Sequence, residues 1–496
     1  MILKNSLKLT QLMLPPTMQL STLLAIAAIV GGNCFAQETA GFDWLAGDHH
    51  IHSRYSVGWD RAADPSEERT TDPTPIIGGD AIYPIHMNAL MAKYYGLTWM
   101  VATDHGGPNH SKLNLNKAYP ELVQSRSVVP EVLQFYGMEF DTPGADHSSL
   151  IIPFTKNEAE KLYNIESRFA KREPWPANDD WDTEQRMLEA LQAMNKLDNP
   201  PIIIANHPSR SAKELGVYGL DEPSEFRNWN DIAPTVALGM AGAPGHQANR
   251  SARGGYRGYP TLGGFDQMTA RVGGFWDSMI SENRKWWITA NSDSHVHNSE
   301  GGSDFWPGEY SKTYVWAEKT HHSIIDGIRN GRMFVTTGDL IDQLFVTMSS
   351  GPNQARTGGT LVKPAGEGVK LHIRFRDPNG PNFRGEYPNV ARVDLIFGEM
   401  FQEPPSLDTD TNEKTVVIAR FGPNDWKAND GFFEIEHEIK NVTRNSYIRV
   451  RGTNTSELEP QPDKWGEDPW EDLWFYSNPI FISTTDPAEL KHVSNF

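Results

Sequence analysis

The sequence predicts an α/β fold, in which a barrel of strands and helices is followed by a C-terminal antiparallel β-sandwich. Three observations support this prediction. Between Asp43 and about Gly338, short apolar runs typical of buried strands alternate with runs of helical spacing. After Gly338, strand-like runs follow one another with only turn residues between them. Histidine and acidic residues follow most of the earlier strand-like runs, as they do at the mouth of a barrel.

The N-terminal residues have the three regions of a secretory signal. Lys4 and Lys8 form the basic region, Leu20–Val30 the apolar region, and residues 34–36 the short region before cleavage. The apolar run is shorter than the roughly 20 residues of a membrane span. We expect cleavage to leave Gln37 first, with export to the periplasm or the medium and no stable membrane association afterwards.

Cys34 is the only cysteine, so a mature chain that begins at Gln37 has none. Disulfides, thiolate nucleophiles and cysteine-ligated zinc are thereby excluded, and any metal must be held by His, Asp and Glu. A lipid anchor on Cys34 is the less favoured alternative, because Asn33 is bulkier than the small residue that usually precedes such a cysteine.

The net charge excludes another class of function. Lys and Arg number 45 against 64 Asp and Glu, which gives −19, and removal of Lys4 and Lys8 gives 43 − 64 = −21. Phosphate contacts need clustered basic residues, so we expect no nucleic-acid partner. Nothing in the sequence indicates the oligomeric state.

The 496 residues are enough for a barrel and one smaller domain. We divide them into a signal peptide over residues 1–36, a barrel over 37–338 and a β-sandwich accessory domain over 339–496. In the barrel, helices are predicted over Asp80–Tyr95, Thr183–Leu197 and His322–Asn330, and strands over Leu97–Ala102, Ile202–Ala205 and Tyr314–Trp316. In the sandwich, strands are predicted over Gln343–Met348, Val369–Arg374, Ala391–Phe397, Thr415–Ala419, Phe432–Ile439 and Tyr447–Arg451.

Eight residues form the candidate site, and nearly all of them follow a strand-like run. They are His50, His52, His105, Glu139, His147, His207, Asp293 and His295. On an extended segment, residues i and i+2 point to the same face, so His50 and His52 can bind one ion. Glu139 is the natural carboxylate to bridge two cations, as in hydrolases that use two metal ions. Such ions provide hydroxide near neutral pH, and the chain has no G-x-S-x-G motif that would supply a serine nucleophile instead.

The motifs GDHHIHS, VATDH, GMEF, GADHSSL, ANHP and NSDSH occur in this order over roughly residues 43–338. They resemble the ligand motifs of the PHP (polymerase and histidinol phosphatase) superfamily of metal-dependent phosphoesterases. Trp276-Asp277-Ser278 and NGRMFVTTG resemble its exported branch, which is related to carbaryl hydrolase. The resemblance implies a distorted (β/α)7 barrel with two or three divalent ions, and the ligand types suit Zn, Mn or Fe.

The resemblance also implies a role for each ligand. His50, His52, Glu139 and Asp293 would hold the first ion, and Glu139, His147 and His207 the second. His105 and His295 would hold a third ion together with an acid from the first loop. The family usually has that acid five or six residues after the His-x-His motif, where this chain has Val57 and Gly58. We therefore predict Asp60 as the third-ion acid.

Catalytic roles are predicted for Glu139, Asp293, His295, Arg54 and Arg210. The two arginines follow ligand motifs closely, and a guanidinium there can clamp a phosphoryl oxygen, although a surface ion pair is the simpler interpretation.

The resulting hypothesis is an exported hydrolase that cleaves a small phosphomonoester or phosphodiester. Its main rival is a carboxyl or carbamate aryl ester hydrolase with the same metal centre. A polymer-binding protein with a non-catalytic barrel is a third alternative, which the complete ligand set disfavours. The amidohydrolase superfamily also begins with His-x-His, but Glu139 and the closing Asp293-Ser294-His295 favour the PHP resemblance.

Overall fold

The computed structural model of the chain describes residues 41–60, 73–245, 256, 258–297, 304–402 and 405–485. The described residues from Asp43 onward form one compact unit. The predicted signal peptide lies outside the described residues.

The protein has a mixed α/β fold built on a large central sheet of fifteen strands. The strands of the N-terminal part are β1 Phe42–Ile51, β2 Gly58–Trp59, β3 Pro75–Ile76, β4 Trp99–Ala102, β5 Leu133–Asp141, β6 His147–Ile152, β7 Ile202–Ala205, β8 Ala237–Ala243, β9 Trp287–Ala290, β10 Ser311–Glu318 and β11 Met333–Thr337. Parallel pairs join β1 to β4, β4 to β5, β7 to β8 and β8 to β9. β6 runs antiparallel to both β5 and β7.

Short helices connect these strands. They are α1 Ile85–Tyr94, α2 His110–Leu113, α3 Tyr119–Val128, α4 Glu158–Phe169, α5 Glu184–Asn195, α6 Pro223–Ile232, α7 Gln267–Ala270, α8 Phe275–Ser281 and α9 His321–Arg329, with a π-helical turn at Asn114–Ala118 and a 3₁₀ turn at Asp179–Trp181. In α5 the buried side chains are Met187, Ala190, Leu191 and Met194, which recur with helical period and face the core. Thr183 begins this helix by accepting a hydrogen bond from the Arg186 N–H.

The C-terminal strands pair mostly antiparallel, as predicted. They are β12 Gln343–Ser350, β13 Asn353–Arg356, β14 Thr360–Pro364, β15 Val369–Arg376, β16 Arg392–Glu399, β17 Thr415–Phe421, β18 Lys427–Asn429, β19 Phe432–Ile439, β20 Ser446–Thr453, β21 Trp474–Ser477 and β22 Ile480–Thr485. One sheet of five strands has the order β13-β12-β15-β19-β18. The other strands belong to the large sheet, where the β14–β22 pair is parallel.

The large sheet crosses the predicted domain boundary at Gly338. β11 ends at Thr337 and pairs with β10 on one side and with β21 on the other. A buried ion pair adds to this connection, because the Arg449 guanidinium donates to both carboxylate oxygens of Asp277 at 2.8 and 2.7 Å. The domain boundary at residue 338 therefore stays a prediction. In the structure, backbone hydrogen bonds and a buried ion pair join the residues on either side of it.

Two close approaches require glycine in the strands that lead to the site. A Cβ on Gly47 would lie 1.9 Å from Trp99 Cε2, and one on Gly239 would lie 1.9 Å from the Trp287 carbonyl oxygen. Neither neighbour can move away cheaply, since both are buried in the core. The two glycines thus set the spacing between adjacent strands.

The α/β class and the order of the predicted elements are confirmed. The strands predicted over Ile202–Ala205 and Phe432–Ile439 have these bounds in the structure. The first predicted helix differs, because α1 begins at Ile85 rather than at Asp80. Pro84 disfavours helical conformation in the residue before it and permits the helix to begin only after it.

We expect Asp277→Asn to lower the free energy of unfolding by about 3–5 kcal/mol, because Arg449 would remain buried without a counter-charge. Both side chains of this pair have 0% exposure. Urea unfolding followed by tryptophan fluorescence measures the change.

Asp342→Asn is the matched control, since the Asp342–Arg376 pair has exposures of 28% and 35%. Solvent screens that pair, so its loss should cost at most about 1 kcal/mol. Equal losses in the two variants would contradict a connecting role for the buried pair.

Candidate metal centre

The predicted site residues converge around the carboxylate of Glu139. This residue lies near the end of β5 and is 1% exposed. Its Oε1 lies 3.0 Å from His50 Nε2, 3.1 Å from His147 Nδ1 and 3.1 Å from His207 Nε2. Its Oε2 lies 2.9 Å from His105 Nδ1. Histidines from four separate segments of the chain therefore share one carboxylate.

The first group consists of His50, His52, Glu139 and Asp293, and all four are buried. Asp293 Oδ1 lies 3.0 Å from His50 Nε2 and 3.1 Å from His52 Nε2, and the two imidazole nitrogens are 3.0 Å apart. His50 and His52 thus point to the same face, as their spacing predicts. The Nδ1 of His52 is hydrogen-bonded to Ser56 Oγ at 2.9 Å, which leaves its Nε2 directed at the group.

The second group consists of Glu139, His147 and His207. His147 begins β6, which runs antiparallel to β5, and Asp141 pairs with it in register. His207 lies two residues after the end of β7. These three residues are the ones that the sequence predicts for a second ion.

The third group contains His52, His105 and His295, and the acid among them is Asp80. Asp80 Oδ2 lies 3.8 Å from His105 Nε2 and 3.5 Å from His295 Nε2. Asp60, which the sequence analysis assigns to this place, belongs to none of the groups found among the described residues. Asp80 was not predicted as a ligand, because the predicted first helix extends across Pro84. The effect of this proline on the residue before it is the signal that places Asp80 in a loop.

A fourth group consists of His105, Asp141 and His147 and was also not foreseen. Asp141 Oδ1 lies 3.7 Å from His147 Nε2 and accepts a hydrogen bond from Arg172 Nη1 at 3.2 Å. Because it shares His105 and His147 with the third and second groups, it is a continuation of the same cluster.

The donor atoms of this cluster fit cations. Within the described residues, Glu139 Oε2, His105 Nδ1 and His147 Nδ1 are buried and form no hydrogen bond, although Oε2 and His105 Nδ1 are only 2.9 Å apart. Buried polar atoms normally have a partner. A cation between the carboxylate and the imidazoles satisfies these atoms together, and His, Asp and Glu are suitable ligands for it.

The protonation states of the cluster also favour the binding of cations. Burial alone would raise the pKa of the Glu139 carboxyl, but the imidazoles of His105, His147 and His50 outweigh it and hold this pKa well below its usual value. Burial and the nearby Arg210 guanidinium lower the pKa of His207 to about 4. Glu139 is therefore ionised and His207 neutral at pH 7, which are the forms that bind cations.

His295 behaves differently. Burial lowers its pKa, but Asp304, Asp293 and Asp80 more than offset this and raise it to about 9. Its Nδ1 lies 2.9 Å from the Asp293 carbonyl oxygen. A cation at the third group must displace a proton from His295, so its binding strengthens as the pH rises towards 9.

Two of the ligands have left-handed backbones. The φ angle is 32° at His207 and 50° at Asp293, although neither residue is glycine. Such conformations cost of the order of 1–3 kcal/mol and are typical of functional sites. Hydrogen bonds hold the segments concerned, since the His52 N–H donates to Ser294 O at 2.9 Å and the Asn206 N–H to His147 O at 2.9 Å.

The two predicted arginines differ in position. Arg54 is 42% exposed and donates to Glu121 and to the Tyr55 hydroxyl, so no contact joins it to the groups above in the described residues. Arg210 donates to both oxygens of Asp146 at 2.6 and 3.1 Å. Asp146 in turn lies 3.8 Å from His147 Nδ1 and 3.7 Å from His207 Nδ1, so Arg210 is one carboxylate away from the second group.

No model of a known protein family matches this chain, and no curated protein is similar enough to count as a match. Among the described residues, no helix combines the length and the apolar character that crossing a bilayer requires.

We expect Asp80→Asn to weaken the binding of one cation by at least about 10-fold, because the third group would lose its carboxylate. Titration of the metal-free protein with Zn²⁺ against a chromogenic chelator measures each affinity. Asp60→Asn is the matched control and should bind like the wild type. If Asp60→Asn lost affinity for a cation and Asp80→Asn did not, Asp60 rather than Asp80 would be the acid of the third group.

Proposed function

We propose that this protein is an exported metal-dependent hydrolase that cleaves a phosphomonoester or a phosphodiester. The observation that carries the proposal is the convergence of the imidazoles of His50, His147, His207 and His105 on the buried Glu139 within 3.1 Å. A cluster of this kind costs stability unless cations neutralise it, so a structural role alone is a poor explanation.

We also propose membership of the PHP superfamily, with a distorted (β/α)7 barrel. The order of the ligand motifs supports this, as do the seven strands β1 and β4–β9, which are successive neighbours in the sheet. A parallel bridge between Ile51 and Ser294 links the end of β1 to the segment after β9. A link between the first and last of seven strands is what a closed barrel requires.

We assign two or three divalent ions to the centre, with Zn, Mn or Fe as candidates. When bound, such ions supply hydroxide near neutral pH and polarise the oxygen of the scissile group. Glu139 would be shared by two of them, since it belongs to both the first group and the second. Asp293 completes the first group and His295 directs its Nε2 towards Asp80 in the third.

Arg210 supports a phosphoester as the substrate. Its guanidinium is 16% exposed. Burial lowers its pKa, but the carboxylates of Asp146, Glu139 and Asp293 more than offset this and raise the pKa above its usual value. A guanidinium fixed near the second group stabilises the negative charge that develops on phosphoryl oxygens. Arg54 has no such support, so we propose Arg210 alone as the substrate-facing arginine.

An aryl ester of a carboxylic or carbamic acid is the second candidate. Both predicted arginines are already paired with carboxylates, and an ester carbonyl needs no additional cation. Ile77 and Ile82, on either side of Asp80 in the chain, are 51% and 46% exposed and offer an apolar surface next to a ligand.

A substrate screen distinguishes the two reactions. We expect p-nitrophenyl phosphate or bis-p-nitrophenyl phosphate to be hydrolysed by protein loaded with Zn, Mn or Fe, and naphthyl acetate to be hydrolysed far more slowly. Glu139→Gln keeps the side-chain volume but removes the charge, and should lower kcat/KM by at least about 100-fold. Hydrolysis of the naphthyl ester alone would establish the second candidate, whereas wild-type protein that binds no ion would refute both.

Export is the remaining part of the proposal and rests on the N-terminal sequence. N-terminal sequencing of protein recovered from the periplasm of an expressing bacterium should begin at Gln37. Recovery of the chain in the cytoplasm with Met1 intact would contradict it.

A further inference from the structure

A line of buried polar side chains leads from the core to Glu139. The Thr289 Oγ1 lies 2.8 Å from His49 Nε2, and His49 Nδ1 lies 2.9 Å from Ser149 Oγ. The Ser149 hydroxyl is 2.9 Å from Asn206 Oδ1, and Asn206 Nδ2 donates to Glu139 Oε1 at 3.2 Å. Each member is at most 2% exposed, so solvent does not compete for these hydrogen bonds.

The direction of every hydrogen bond in this line follows from its last member. An ionised Glu139 can only accept, so Asn206 must present its NH₂ group and turn its Oδ1 towards Ser149. The Ser149 hydroxyl has one proton, which it donates to that oxygen. His49 must then donate to Ser149, so the proton of its ring is on Nδ1.

We infer that Asn206, Ser149 and His49 are positioning residues that fix the orientation of the Glu139 carboxylate and thereby set the affinity of the cations it binds. This inference rests on the proposed function, since it takes Glu139 to be a shared ligand. His49 neighbours His50 on β1 but faces the opposite side of the strand, where it reaches β6 and β9.

The contact at Oε1 explains why the orientation matters. The same oxygen faces His50, His147 and His207 at 3.0–3.1 Å, while Oε2 faces His105. A rotation of the carboxylate about its Cγ–Cδ bond by less than a half-turn would move both oxygens away from these nitrogens and from the cation positions between them. The Asn206 N–H favours one rotamer because it supplies a directed donor to Oε1 and brings no charge that would repel a cation.

The neighbouring serine on the same strand provides a matched control. Ser148 is also buried in β6, but its hydroxyl is 3.0 Å from Thr142 Oγ1 and points away from this line. Ser149→Ala removes the partner of both His49 and Asn206, whereas Ser148→Ala removes a buried serine hydroxyl without touching the line.

The first test measures Zn²⁺ affinity by competition with a chelator, together with the melting temperature of the metal-free protein. We expect Ser149→Ala to weaken the tightest affinity by about 10- to 100-fold, while Ser148→Ala stays within about twofold of the wild type. If both variants lower the melting temperature alike and neither changes the affinity, the line is only structural and the inference is overturned.

The second test uses variants of His49 and combines a Zn²⁺ affinity measurement with spectra of the metal-free protein. In His49→Asn, the amide nitrogen replaces Nδ1 as the donor to Ser149. This variant should keep most of the Zn²⁺ affinity that His49→Leu loses. In ¹⁵N-histidine spectra of the metal-free protein, the resonances that disappear in His49→Asn should be those of a ring protonated at Nδ1.

The two failures can be told apart. A ring with its only proton on Nε2, or equal affinities in His49→Asn and His49→Leu, overturns the positioning role while the metal centre stands. Wild-type protein that binds no Zn²⁺ refutes the proposed function and, with it, the effect on affinity.

Discussion

The buried charge of Glu139 is the constraint on which the centre depends. An ionised carboxylate in the interior is costly unless opposite charge or directed hydrogen bonds compensate for it. The cluster supplies imidazoles and one amide, but it also brings in Asp293, Asp80 and Asp141. His207 is neutral at pH 7 and His295 carries a proton, so bound cations would balance the remaining carboxylate charge.

Backbone pairing holds the ligands in place independently of any ion. The Thr103 N–H donates to Ile51 O at 2.9 Å, and the Glu139 N–H donates to Asp104 O at 3.0 Å. The carboxylates of Asp48 and Asp104 accept from the N–H groups of His50 and Ser53, so they fix the ligand-bearing backbone rather than the imidazoles. These backbone hydrogen bonds join the segments around His52, His105 and Glu139 to one another, which preorganises this part of the site.

The sequence was sufficient to predict the α/β class, the order and approximate positions of the elements it named, and the members of the first two groups. It sufficed because strand ends place i and i+2 side chains on one face, and His50 and His52 follow this rule. Asp80 was not predicted because its position depends on how the chain after β1 folds back before Pro84. Nor does local pattern show that strands after Gly338 pair with β11, because such pairing joins residues distant in sequence.

The arginines around the centre show why the inner positions remain available to cations. Arg210 binds Asp146 and Arg172 binds Asp141, and both aspartates reach His147 from outside, at 3.8 and 3.7 Å. A guanidinium next to Glu139 would occupy the place of an ion and could not be deprotonated. Arg210 instead lies one carboxylate further out. After burial, its charge is the largest influence that lowers the pKa of His207, and it so keeps that imidazole in the neutral form that donates a lone pair.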